Sequence, residues 1–128
     1  TVLSEASVGR LSKVLGISHL DPRRFRMLFG VNGLPAHAED DWVGHLVRIG
    51  TAVISVVGLV GRCLVTSQNP DSGLADLDTL GALRNYRLNA GTGEKLPFGV
   101  WAKVARPGRV ALGDEVEPIG VAPRSFAP

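Results

Sequence analysis

The sequence has little cysteine, few aromatic residues and almost no net charge, and each shortage excludes a class of protein. One cysteine, Cys63, in 128 residues rules out an internal disulfide framework and any multi-cysteine zinc site. It suits a reducing compartment, and the chain reads as cytoplasmic. Fourteen Lys and Arg against twelve Asp and Glu leave +2, too small a surplus to imply a nucleic-acid partner although the pI is near 9.1. No apolar run reaches the ~20 residues of a bilayer span. The most hydrophobic stretch, Val43 to Val60, is interrupted by His45, Arg48 and three glycines, so no membrane partner is expected. Thr1 opens the chain without an initiator Met or the basic and apolar regions of a signal peptide, and the chain is read as a piece of a longer protein. What is present, 45% hydrophobic and 20% charged residues, is enough apolar material for one packed domain.

Sixteen Gly and eight Pro punctuate short apolar runs, a pattern of strands and tight turns. A short helix opens the chain, with Ser7 as cap, Val8, Leu11, Val14 and Leu15 on one face and Gly16 as stop. Asp21-Pro22 sets up a single turn, and Phe25 to Val31 is apolar enough for a buried strand. Leu46–Ile49 and Thr51–Val57 around Gly50 read as a hairpin, and Leu59–Ser67 as a further strand. Asn69-Pro70-Asp71-Ser72-Gly73 must reverse the chain. Leu77, Leu80, Leu83 and Tyr86 mark a second helix, capped by Asp76 or Asp78. Phe98–Val104 and Arg109–Leu112 alternate as strands around Arg106-Pro107-Gly108. A frayed tail is expected after Pro118.

Cys63 is the one soft ligand or strong nucleophile, and Arg62 beside it would favour its thiolate. A small buried hydrophobe is the competing reading, and spacing does not separate the two. His19, His37 and His45 form no zinc-binding pair and are read as surface or satisfied residues. Glu39, Asp40 and Asp41 beside Trp42 could serve acid/base chemistry, but a turn cap that leaves Trp42 in the core is favoured. In an extended strand Arg24 and Arg26 share a face, where two guanidiniums can hold a phosphate; a charge-protected strand edge is the other reading. Gly91-Thr92-Gly93 lacks a nucleotide-loop context and reads as a turn.

The order of these pieces resembles the MOSC domain, named after the C-terminal domain of molybdenum cofactor sulfurases. The likeness is carried by Leu3 to Ser7, Phe25-Arg26, Ala38 to Trp42, Ile49-Gly50, Arg62 to Thr66, the Asn69 to Gly73 turn, Leu80 to Arg87, Pro97 to Trp101, Arg106 to Gly108 and Val110 to Asp114. Its most specific element is Arg62-Cys63 followed by the Asn-Pro-Asp-Ser-Gly turn. The resemblance implies a mainly β fold, a closed or partly closed barrel with two or three short helices. It places the MOSC domain at 1–118, leaving 119–128 as a disordered tail.

The most similar members are those, like the amidoxime-reducing components, in which an N-terminal β-barrel domain precedes the MOSC domain; that barrel is not within these residues. The resemblance implies an oxidoreductase that reduces N-hydroxylated compounds on a molybdenum cofactor (molybdopterin), with an electron-donor protein as partner. Cys63 would be catalytic and the protein ligand to the metal. Arg26, Arg62 and Trp101 would contact the cofactor. Met27 and Leu28 stand where the family has Pro and Asn, which removes a polar contact near the cofactor. The intact parent is expected to be a molybdenum-dependent reductase and this fragment by itself to be inactive. One alternative is a sulfur carrier that forms a persulfide on Cys63 with a cysteine desulfurase as partner. Another is a non-catalytic module with Cys63 buried and inert.

Overall fold

The computed structural model describes residues 1–88 and 95–126. The described residues form six strands: β1 (Val2–Ser4), β2 (Phe29–Val31), β3 (His45–Ile49), β4 (Ala52–Gly61), β5 (Pro97–Arg106) and β6 (Val116–Val121). Two helices, α1 (Glu5–Leu15) and α2 (Thr79–Arg87), and several single 3-10 turns complete them. The strands make one sheet in the order β2-β1-β5-β4-β3-β6, curled into a half-barrel. The fold is therefore mainly β, a partly closed barrel with short helices.

The sheet curls because its longest ladder is uneven. β4 and β5 pair antiparallel with register shifts at Val53/Ile54, Val56/Gly58 and Leu59/Gly61, and such bulges bend and twist a strand pair. β4 is rich in β-branched residues and its first six are buried, as suits a central strand. Val2, Val31, Trp42, Val47, Ile49, Ile54, Val56 and Val100 fill the concave side. A second cluster, built on Leu3, Leu11, Phe25, Leu83 and Phe98, seats both helices against one end of the sheet.

The expected hairpin forms as β3 and β4. The Asn69 turn also forms: Asn69 Oδ1 accepts from the amides of Asp71 and Ser72, and Gly73 N–H donates to Asn69 O. α2 is capped by Asp78, whose carboxylate accepts from Gly81 N–H at 2.9 Å. α1 stops at Gly16, in the left-handed region at φ 71°, but its cap is Ser4, not Ser7. Ser4 Oγ accepts from Ser7 N–H at 3.1 Å, and Ser7 is buried inside the first turn.

Three expected strands differ. The segment 25–31 is extended only from Phe29, because Pro22–Phe25 is a 3-10 turn that Arg26 ends at φ 51°. β4 stops at Gly61, and Leu64–Ser67 is a 3-10 turn. Arg109–Leu112 is not a strand: Thr51 N–H donates to Arg109 O and Arg109 N–H to Thr51 Oγ1, so this segment clasps the tip of the β3–β4 hairpin. The last strand comes later, as β6, and pairs with β3 as far as His45↔Val121. Residues 119–121, read from sequence as tail, are thus edge strand, and a 3-10 turn follows at Arg124–Phe126. Gly91-Thr92-Gly93 lies outside the described residues.

Candidate functional site

Cys63 leaves the end of β4 and precedes the 3-10 turn Leu64–Ser67, with its side chain exposed. Exposure overturns the reading of a small buried hydrophobe and, with it, that of an inert module with a hidden thiol. The turn after it is held from beneath. Thr66 N–H and Thr66 Oγ1 both donate to Cys63 O, and Thr66 Oγ1 lies 2.7 Å from Thr79 Oγ1, which lies 2.9 Å from Ser67 Oγ. All three hydroxyl residues are buried, so the start of α2 anchors the backbone that carries Cys63.

Arg62, the residue before, points inward. Its Nε donates to Phe98 O at 2.8 Å, Nη1 to Phe25 O at 2.9 Å, and Nη2 to the Met27 sulfur at 3.0 Å. The guanidinium also lies over the rings of Phe25 and Phe98. Burial lowers its pKa to about 10, while the charge of an ionised Cys63 nearby opposes that fall. Arg62 therefore binds the residues on both sides of Arg26. Met27 supplies one arm of that clamp; Leu28 next to it is 73% exposed.

The arginine triplet does not present a free pair. Pro22–Phe25 is a 3-10 turn, not a strand, and the three side chains have different partners. Arg24 is buried and makes a two-point ion pair with Asp76 at 2.7 and 2.8 Å, which holds the Asp76 carboxyl below its ordinary range. Arg23 bridges Asp21 and Asp71. Arg26 is exposed and has no side-chain partner among the described residues. Together with Val65, Gln68, Asn69, Pro70 and Gly73, the triplet borders a cleft of about 300 Å³. Among the three, only Arg26 has its charge uncommitted.

Trp101 stands apart from this group. It pairs across the ladder with Gly58, where an added Cβ would lie 2.9 Å from its indole nitrogen, and it is 40% exposed. Gly58 precedes Cys63 by five positions, at most about 17 Å of chain. Trp101 makes no cation–π contact with Arg26 or Arg62 among the described residues.

The acidic group beside Trp42 forms a 3-10 turn with Trp42 in the core, but its carboxylates serve other elements. Glu39 is fully buried and accepts from Ser4 N–H at 3.0 Å and Ser7 Oγ at 2.9 Å. Asp40 pairs with Arg87, which also donates to Pro97 O. His37 is not a satisfied histidine: both ring nitrogens are buried without partners, and burial followed by the charge of Arg87 lowers its pKa to about 4. No group of three or more His, Cys, Asp or Glu among the described residues could hold a metal ion, so a metal at Cys63 would need donors from elsewhere.

Sequence reasoning missed the inward turn of Arg62 and the Thr66–Thr79–Ser67 hydroxyl group. The only signal for the latter was a run of Thr and Ser at a turn, because its members are 12 to 13 positions apart.

A family model described as MOSC domain matches residues 1–117. The chain belongs to the MOSC domain family. This MOSC domain is 34% identical over 125 residues to mitochondrial amidoxime-reducing component 1 of Mus musculus, and 30% identical over 125 residues to that of Homo sapiens. Each match covers 93% of this chain and 36% of the relative, so the MOSC domain spans about a third of the length of these relatives. A molybdenum cofactor sulfurase of Oryza sativa subsp. japonica is 32% identical over 83 residues, covering 63% of this chain and 10% of that one. Among solved structures, the YUAD protein from Bacillus subtilis has a TM-score of 0.61 at 17% identity, covering 90% of this chain and 60% of that chain, a likeness of fold. No helix among the described residues is long and apolar enough to cross a membrane.

Proposed function

We propose that this MOSC domain holds a molybdenum cofactor through the Cys63 thiolate, as part of a longer oxidoreductase that reduces N-hydroxylated compounds. The observation that carries the reading is an exposed thiol, Cys63, whose chain neighbour Arg62 reaches inward to hold the residues on both sides of Arg26, an exposed guanidinium with no side-chain partner among the described residues. The donor set fits the group: a thiolate is a soft ligand suited to a redox-active metal, and a guanidinium suits a phosphate. The amidoxime-reducing relatives and the cofactor sulfurase support the same chemistry.

When bound, the cofactor supplies a metal that exchanges two electrons and accepts oxygen. Overall, two electrons and two protons from an electron-donor protein cleave the N–O bond, releasing the reduced nitrogen compound and water. In this division of labour Cys63 binds the metal and Arg26 offers charge-assisted hydrogen bonds to the cofactor's phosphate. Arg62 acts as a positioning residue, since its donors are committed to Phe98, Phe25 and Met27. The Thr66–Thr79 bond fixes the turn so that the thiolate keeps its direction. Trp101 enters the reading only as an exposed aromatic face further along the sheet. The remaining cofactor contacts come from the longer protein, with an N-terminal β-barrel domain in cis. The exposed free thiol favours a reducing compartment such as the cytoplasm.

The test is molybdenum and pterin content of the longer protein, expressed in a host that makes the cofactor, beside Cys63→Ser. Near-stoichiometric metal that disappears in the variant, with unchanged circular dichroism, supports the reading. Negligible metal in both refutes it. A gain of one sulfur on Cys63 in the intact mass would replace it with a persulfide carrier charged by a cysteine desulfurase, since an exposed thiol serves that chemistry as well.

A further inference from the structure

The half-barrel leaves two strands with a neighbour on one side only, β2 and β6. Curling brings β2 and the loop after it, residues 30–34, opposite the segment that leads into β6, residues 112–116, and a cleft of about 490 Å³ lies between them. That volume is within the range of functional pockets, roughly 300–1,000 Å³. Its floor is apolar, because Val31, Leu34 and Val116 pack on the concave core. Its rim is acidic: Glu5, Asp114 and Glu115 line it, and no Lys or Arg does. Asp114 is engaged, accepting from Ala111 N–H, whereas the carboxylates of Glu5 and Glu115 have no partner among the described residues.

The edge of β2 offers backbone groups to this space. β1 and β2 run parallel with Leu3 opposite Gly30, and Phe29 N–H donates to Thr1 O. Alternation along a parallel ladder then directs the N–H and C=O of Gly30 away from β1. Gly30 is exposed, and a Cβ there would meet nothing within 4 Å, so a chain can approach closely. β6 is a poorer template, since Pro118 in its middle has no N–H to donate.

We propose that the β2 edge and this cleft form a docking site for an extended, lysine- or arginine-rich segment of a partner protein. The segment adds to β2 as a further strand, the mode by which exposed sheet edges capture peptides. Side chains on the face of the segment turned to the cleft meet a mixed lining, apolar at Val31, Leu34 and Val116 and acidic at Glu5 and Glu115, where basic ones are favoured. The short ladder of β2 gives few backbone bonds, so affinity rests on the cleft and on charge. This site is independent of Cys63.

The test uses the 128-residue chain and a fluorescent peptide of about nine alternating valines and lysines, near the upper length of natural strands. Anisotropy should show saturable binding that weakens as salt rises. The same peptide with glutamate for lysine should bind at least about tenfold more weakly. Glu5→Lys with Glu115→Lys, both surface changes, should weaken the lysine peptide by about tenfold or more with circular dichroism unchanged. Hydrogen exchange should slow at residues 29–34 when peptide binds. Equal affinity for the two peptides, or no effect of the charge reversal, would overturn the proposal. Protection of residues 29–34 that appears without peptide and grows with protein concentration would overturn it too, and assign the edge to a second copy of this chain.

Discussion

Replacing Arg62 with methionine removes the donors that join three distant pieces of backbone. The methionine stem keeps apolar contact with Phe25 and Phe98, but Phe25 O and Phe98 O lose their charged donor. Hydrogen bonds to a charged group contribute about 1.5–3 kcal/mol each, so two of them amount to about 3–6 kcal/mol. Part of that is returned, because burying the guanidinium is itself costly, as its lowered pKa of about 10 shows. A net loss of about 3 kcal/mol follows. With a urea dependence of about 1.5 kcal/mol per molar, the unfolding midpoint falls by about 2 M. Lysine keeps the charge but not the fork that reaches both carbonyls, and should fall in between. Tryptophan fluorescence during urea unfolding measures all three proteins. A midpoint for Arg62→Met within about 0.3 M of the parent would refute the clamp, since losses that small are typical of surface changes.

Further outcomes follow from other contacts. His37 has a pKa lowered from 6.5 to about 4, below its unfolded value, so its contribution is complete above about pH 6.5 and is lost as pH falls toward 4. With its partial burial this amounts to about 2 kcal/mol. Urea midpoints of His37→Asn, which tolerates the left-handed backbone at φ 67°, should lose that slope; an unchanged slope would place the titration elsewhere. Asp40, raised by burial, acts in the opposite sense, adding stability as pH falls toward the ordinary carboxylate range. Thr79→Val strips both hydroxyl bonds beneath the Cys63 turn and should cost about 2 kcal/mol and speed Cys63 modification by a thiol reagent; an unaltered rate would show that the turn holds without it. Gly99→Ala should cost about 2 kcal/mol or more in thermal or urea unfolding, because φ is 83° and the added Cβ would lie 2.6 Å from the Met27 methyl and 2.9 Å from Val2 O. A neutral result would mean that this stretch of β5 yields freely.

The sequence made both helices, the hairpin, the Asn69 turn and the family legible, because each rests on local signals: periodicity, β-branched runs, turn residues and an ordered set of motifs. What was not legible depends on contacts across the chain. Leu64-Val65-Thr66 has strand composition, yet Thr66 hydrogen-bonds back to Cys63 O and across to Thr79, and these bonds favour a turn. Pro118 and Gly120 read as breakers, but an edge strand tolerates a residue without N–H, and β3 provides the pairing. In the site, Cys63 was marked by being the sole thiol, and its exposure was not. Arg24 and Arg26 do not form a free phosphate pair, because Asp76, 52 positions from Arg24, claims the Arg24 guanidinium.

The Arg62 clamp joins positions 37 apart and ties the residue before the exposed thiol to the segment that carries the unpaired guanidinium. In the unfolded chain they are strangers, so any ligand that touches both binds the native state alone. Occupancy and folding are then thermodynamically linked: a ligand at a hundred times its dissociation constant adds about 2.7 kcal/mol of stability. A domain destabilised elsewhere would surrender ligand without any change at the thiol, and a filled one would resist heat and proteases that the empty one does not.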